Sequence, residues 1–134
     1  MNYYIILHHS ATPKENTSLE AIRKDHKKRY GRTFYQIMID EDGKVYDEHK
    51  EWNYRGKNKR SVDICLIGNF TNEVPNVVQL CALNLQLKNI YEKFNIVGDF
   101  KVLPHSELIS SGLSGTNSSC PGNLLQYYTA HTKN

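Results

Sequence analysis

Ile5-Ile6-Leu7-His8-His9-Ser10-Ala11-Thr12 is an apolar run that ends abruptly in two histidines and a small polar turn. Read as a strand, it points successive side chains to opposite faces, so His8 and His9 look in opposite directions and only one of them enters a given site. One histidine is therefore a candidate ligand and the other a candidate core residue. Near the other end of the chain, Pro104-His105 and Cys120-Pro121-Gly122 offer a second imidazole and a thiolate. These are ligand types that zinc prefers, and three protein ligands without a fourth describe a catalytic rather than a structural ion.

Working outward from that strand, Thr17-Ser18-Leu19-Glu20 has the form of a capping box opening a helix. Leu19, Ile22, His26 and Tyr30 follow at helical spacing until Gly31, a stripe on which His26 reads as a packing residue. The basic run from Arg23 to Arg29 then falls on the solvated face of the same helix. Phe34 to Ile39 and Lys44 to Tyr46 flank Glu41-Asp42-Gly43, and an Asp-Gly step between strand-like runs predicts a hairpin. A polar connection through Trp52, Asn53, Tyr54 and Arg55 leads to the apolar, β-branched run Ser61 to Gly68, read as a central strand with Asp63 and Cys65 on one face.

Pro75 is placed at the start of a second helix, whose Leu80, Leu83, Leu87, Ile90 and Phe94 form an apolar stripe with Cys81 read as core beside it. A short strand over about Phe100 to Leu103 delivers His105. Ser106 to Ser119 reads as a Ser/Gly loop with few apolar anchors, and Pro121 opens a last helix carrying Leu124, Leu125 and Tyr128. Strands and helices alternate without repeat or linker. The expected fold is α/β, a central mixed β-sheet flanked by helices in a single domain spanning 1–134.

Composition narrows the function. A balance of 17 Lys and Arg against 14 Asp and Glu is only mildly basic, so nothing here demands a nucleic acid partner. Three cysteines at irregular spacing argue against a disulfide framework. Neither a signal-peptide pattern nor a span-length apolar run is present, so the expectation is a chain made in the cytoplasm that does not insert in membranes.

Six segments carry a resemblance: IILHHSAT at 5–12, AIRKDH at 21–26, FYQIMIDEDGKVY at 34–46, NKRSVDICLIGNF at 58–70, the helix after Pro75, and PH at 104–105 followed by CPG at 120–122. In this order, over nearly the whole chain, they resemble the zinc-dependent N-acetylmuramoyl-L-alanine amidases. That family includes short phage lysins and shares its fold with peptidoglycan recognition proteins. The resemblance implies a zinc ion held by His8, His105 and Cys120, with His9 facing away and Tyr35 assisting catalysis beside the metal. It implies hydrolysis of the bond between N-acetylmuramic acid and the L-alanine of the peptide stem. The expected partner is peptidoglycan or muropeptide, met by a monomer either after release to the cell wall or in the cytosol.

The chain departs from the family pattern in four places. The stretch from His105 to Cys120 is long, a Ser/Gly insertion. The position two before the metal Cys, often Lys or Thr, is the neutral Ser118, which joins Tyr35 as a catalytic candidate with Thr116 as an alternative. Cys65 stands where some relatives have a glutamate, and Asp63, replacing a usual glycine on the same face, is a possible stand-in as general base. Asn53, near a position where the family often has His, is expected with Tyr54 and Arg55 to contact the stem peptide. The rival readings are a muropeptide-binding or partner-regulating protein of the same fold, and a thiol hydrolase using Cys120.

Overall fold

The structure, a computed structural model, describes residues 1–12, 19–115, 118, 120 and 122. The expected capping box at Thr17-Ser18, Thr116, and the last helix with Pro121, Leu124, Leu125 and Tyr128 lie outside the described residues. Among the described residues, six strands and two α-helices follow in the order β1 (Asn2–His9), α1 (Leu19–Tyr30), β2 (Ile37–Ile39), β3 (Val45–Asp47), β4 (Asn53–Gly56), β5 (Lys59–Leu66), α2 (Val77–Lys93) and β6 (Phe100–Pro104).

The sheet runs β3-β2-β5-β1-β6, with β4 attached to β5. β1 pairs in parallel with β5 along its whole length, from Asn2 opposite Lys59 to His9 opposite Leu66. β6 joins β1 and β2 joins β5 in parallel, while β3 returns antiparallel to β2. The mixed sheet expected from the alternation of elements is therefore present. β4, in the segment read as a polar connection, pairs antiparallel with residues 59–61 of β5, beside the part of that strand that β2 does not reach. Its polar sequence, Asn-Tyr-Arg-Gly, hid it from an apolar pattern.

Alternation along the central strands sorts the two faces. Ile5, Leu7, Val62, Ile64, Leu66, Ile37 and Ile39 pack against Leu80, Leu83, Leu87, Ile90 and Phe94 of α2 in the main core. The opposite face carries Ile6, Leu103, Leu108 and Leu113 in a smaller cluster, together with the polar residues of the site. Leu108 and Leu113 are the apolar anchors of the segment read as a Ser/Gly loop with few of them, and both are buried. Helix α1 buries no residue fully; it is held to the sheet by the Arg23 guanidinium, whose Nε and Nη2 donate to the two Glu48 carboxylate oxygens at 2.6 and 2.8 Å.

Two local details correct the sequence reading of α2. Its N-cap is Asn76 rather than Pro75: the Asn76 side chain accepts from the Gln79 amide, and the Gln79 side chain accepts in return from the Asn76 amide. This reciprocal cap satisfies two amides that the first turn leaves open. Cys81 is exposed, because helical rotation carries it off the Leu80–Leu83–Leu87 stripe to the solvent side. In the hairpin, Gly43 has φ of +80°, and a Cβ there would lie 2.9 Å from the Val78 carbonyl oxygen, so the turn also fits under the start of α2 only as glycine. Urea unfolding should show Leu83→Ala costing about 2–5 kcal/mol, the range for emptying a close-packed core site. Cys81→Ser should stay within about 0.5 kcal/mol, as for an ordinary surface change.

Candidate metal site and cleft

The parallel strands β1 and β6 end at the same edge of the sheet, and their last residues build the site. His8 is the penultimate residue of β1, and His105 follows β6 at the opening of a 3-10 turn, His105–Glu107. Their rings lie 4.9 Å apart between centroids. Cys120 arrives from the far end of the 106–119 segment, which is closed at its base by the Ser106 amide donating to the Cys120 carbonyl at 2.7 Å. One ligand-capable atom from each of His8, His105 and Cys120 lies within 4.8 Å of the others, a group able to hold a metal ion. The long insertion therefore does not carry the cysteine away, since its two ends meet.

His9 faces the other side, as strand alternation requires. Its Nδ1 accepts the Phe70 amide at 3.0 Å and its ring stacks on Phe70. Desolvation first, and the neighbouring His8 second, lower its pKa below the ordinary 6.5.

The donor chemistry fits a zinc ion. His8 Nε2 is engaged by Asp63 Oδ2 at 2.5 Å, which leaves Nδ1 directed at Cys120 Sγ, 3.8 Å away. Two ligands of a tetrahedral zinc, one nitrogen and one sulfur, stand about 3.6 Å apart when the bond lengths are about 2.0–2.1 and 2.3 Å. The Cys120 sulfur accepts the His9 amide at 3.3 Å, and burial nevertheless raises its pKa to about 11.

Behind the histidine lies a buried polar cluster. Asp63 is fully buried, and its carboxylate receives four donors: His8 Nε2 and Arg55 Nη2 on Oδ2, and Asn53 Nδ2 and Ser61 Oγ on Oδ1. Burial works to raise its pKa, but the His8 and Arg55 interactions and the Ser61 hydroxyl outweigh it and hold the value at about 2. Gln36 supports the same cluster, accepting the Asp63 amide at 2.7 Å.

A cleft of about 390 Å³ opens over the ligands. Tyr35 stands in its wall with its ring 5.0 Å from that of His8, just before β2 rather than within it. Burial foremost, with the neighbouring Cys65 and Cys120 adding to it, raises its pKa well above the ordinary 10, so it keeps its proton. Cys65 is fully buried with a raised pKa of its own, also through desolvation, which suits a structural thiol. Ser118 is exposed at the rim, where its Oγ accepts the Cys120 amide at 2.9 Å.

Of the three expected peptide-contact residues, Arg55 alone lines the cleft, and it is also bound to Asp63, to Ser61 and to the Ser114 carbonyl. Asn53 is buried behind the site, while Tyr54 is 63% exposed under Arg60, because alternation along β4 turns it to the other side.

His26, Tyr30 and Phe34 continue the wall beside Tyr35, whereas the sequence reading took His26, on its stripe with Tyr30, as a packing residue. His26 and Tyr30 share a helix face at i and i+4, which was the available signal.

These features define a single-domain α/β fold with a metal-capable cleft at the ends of parallel strands. Residues 2–123 match the N-acetylmuramoyl-L-alanine amidase family, Amidase_2, and the chain belongs to it. A peptidoglycan recognition protein of Bombyx mori is 28% identical over 123 residues, covering 83% of this chain and 63% of that protein. The chain thus spans somewhat under two thirds of the length of that curated relative. Among solved structures, the N-acetylmuramoyl-L-alanine amidase LysC from Clostridium intestinale URNW is 26% identical with a TM-score of 0.72, covering 98% of this chain and 85% of that one. Bumblebee PGRP-SA is likewise 26% identical, with a TM-score of 0.74 and coverages of 98% and 81%.

The His26 geometry has a pH consequence. Its Nδ1 accepts the Phe34 amide at 3.0 Å, and desolvation lowers its pKa below 6.5. The unfolded chain therefore takes up this proton first as pH falls, so the stabilisation is complete above 6.5 and declines as pH drops through that value. His9 has the same sign. Chemical denaturation between about pH 7.5 and 5 should show falling stability, and His26→Gln should flatten the slope by less than about 1.4 kcal/mol per pH unit.

Proposed function

We propose that this chain is a zinc-dependent amidase that hydrolyses the bond between N-acetylmuramic acid and L-alanine, acting as a monomer on peptidoglycan or its muropeptide fragments. The observation that carries the reading is the His8, His105 and Cys120 group at the floor of a cleft, with a donor set suited to a three-ligand catalytic zinc. Bound there, zinc would supply a Lewis acid for the scissile carbonyl and lower the pKa of a water towards about 7.

The remaining work falls to the chain. Tyr35, kept protonated by burial, can donate to the oxygen on which negative charge develops. Ser118 uses a lone pair on the Cys120 amide and keeps its own O–H as a neutral donor at the rim. The wall of Tyr30, Phe34 and His26 provides apolar and aromatic surface for a substrate, and Arg55 presents a cation at its base. Asp63, with all its carboxylate positions occupied and its pKa at about 2, is too weak a base and too enclosed to activate water.

The test is digestion of purified cell wall alongside metal analysis. Free L-alanine amino termini should appear without new reducing sugar ends, because no Asp or Glu is among the described residues that line the cleft, and glycoside hydrolysis needs a pair of them. One zinc per chain should be found, and His105→Ala should lose both metal and turnover. Tyr35→Phe should raise the barrier by about 2.7–4 kcal/mol, the scale for losing an oxyanion donor. Reducing ends alone would overturn the assignment, and full activity in chelator would replace it with a Cys120 thiol hydrolase. Zinc and muropeptide binding without any turnover would make the chain a recognition protein, the description carried by the Bombyx mori relative.

A further inference from the structure

We infer that Asp63 is the positioning residue of the metal site: it holds the His8 ring with Nε2–H turned into the protein, so that Nδ1 is the atom offered to the ion. The inference rests on the zinc reading of the His8, His105 and Cys120 group. A neutral imidazole has one donor and one acceptor nitrogen, and its partner on one side decides which atom is left on the other. Here the partner is a carboxylate, which accepts only, so Nε2 carries the proton and Nδ1 carries the lone pair. With Nδ1 lying 3.8 Å from Cys120 Sγ, the lone pair is aimed at the other ligands before any ion arrives.

The carboxylate is itself fixed. Arg55 Nη2 binds the same oxygen, at 2.6 Å, and Asn53 and Ser61 fill the other. Arg55 continues to the Ser114 carbonyl at 2.9 Å, while its guanidinium lies 5.4 Å over the Phe34 ring. The positioning device is thereby tied to the segment that brings in Cys120 and to the aromatic wall. A ligating histidine whose second nitrogen donates to a carboxylate gains basicity and a defined orientation, and loss of such a partner costs about 10–100-fold in metal affinity or activity.

The experiment measures zinc affinity by competition with a chromophoric chelator, together with the tautomer of His8 in the zinc-free protein by nitrogen-15 NMR. The Nε2–H tautomer is expected at His8, and Asp63→Asn should weaken zinc binding by about 10–100-fold. Leu83→Ala, destabilised on the opposite face of the sheet, should keep wild-type zinc affinity and so separates positioning from general stability. Unchanged zinc affinity in a folded Asp63→Asn protein, or an Nδ1–H tautomer in the wild type, would overturn the inference. Should Asp63→Asn fail to fold, the wild-type tautomer decides. A wild-type chain that takes up no zinc would sink the amidase reading, and the tautomer would still decide whether Asp63 orients His8.

Discussion

The pairing of β1 with β5 is the constraint on which the rest of the structure depends. Eight residues of each strand run side by side in parallel, deep inside the sheet. A strand buried on both faces must satisfy two environments at once, and the pleat divides them residue by residue. On one face the pair presents Ile5, Leu7, Val62, Ile64 and Leu66 to the core shared with α2. On the other it presents His8, Ser61, Asp63 and Cys65, all buried. The same backbone therefore supplies the core and the floor of the site, and neither can shift register without exchanging places with the other.

Placing Asp63 on that inner face carries an energetic cost. An isolated buried carboxylate is unfavourable by several kcal/mol even after relaxation, and removing one member of a buried ion pair typically costs about 3–5 kcal/mol. The chain meets this with a full complement of donors, two of them from β4. This explains why a short polar strand is attached to β5 at all. Asn53 and Arg55 face inward to the carboxylate while Tyr54 stays outside, so β4 is built for the charge rather than for the apolar core.

The segment after His105 solves a geometric problem in the same economical way. Leu108 and Leu113 anchor it to Ile6 and Leu103, Arg55 holds the Ser114 carbonyl, and Lys59 Nζ donates to the Gly112 carbonyl at 3.0 Å. The ends are joined through Ser106 and Cys120. Closing a loop costs little more as it lengthens, so an insertion pinned at its base and middle leaves the third ligand in place.

The sequence by itself determined the sheet's main strands, the α2 stripe, the opposed directions of His8 and His9, and the order in which two histidines and a cysteine occur. These are local properties, set by side-chain period and residue chemistry, and they are written in adjacent letters. What the tertiary structure decided is how distant, chemically ambiguous residues were used. Asp63 reads equally well as a general base or a structural acid until Arg55, Asn53, Ser61 and His8 are seen to fill its four positions. His26 and Tyr30 read as a packing stripe until α1 is seen to turn them into the cleft lining, and Cys81 reads as core until the helix is rotated onto its sheet. Each depends on contacts between segments far apart in the chain, where hydrogen-bond capacity and burial are properties of the assembled pair and not of either residue alone.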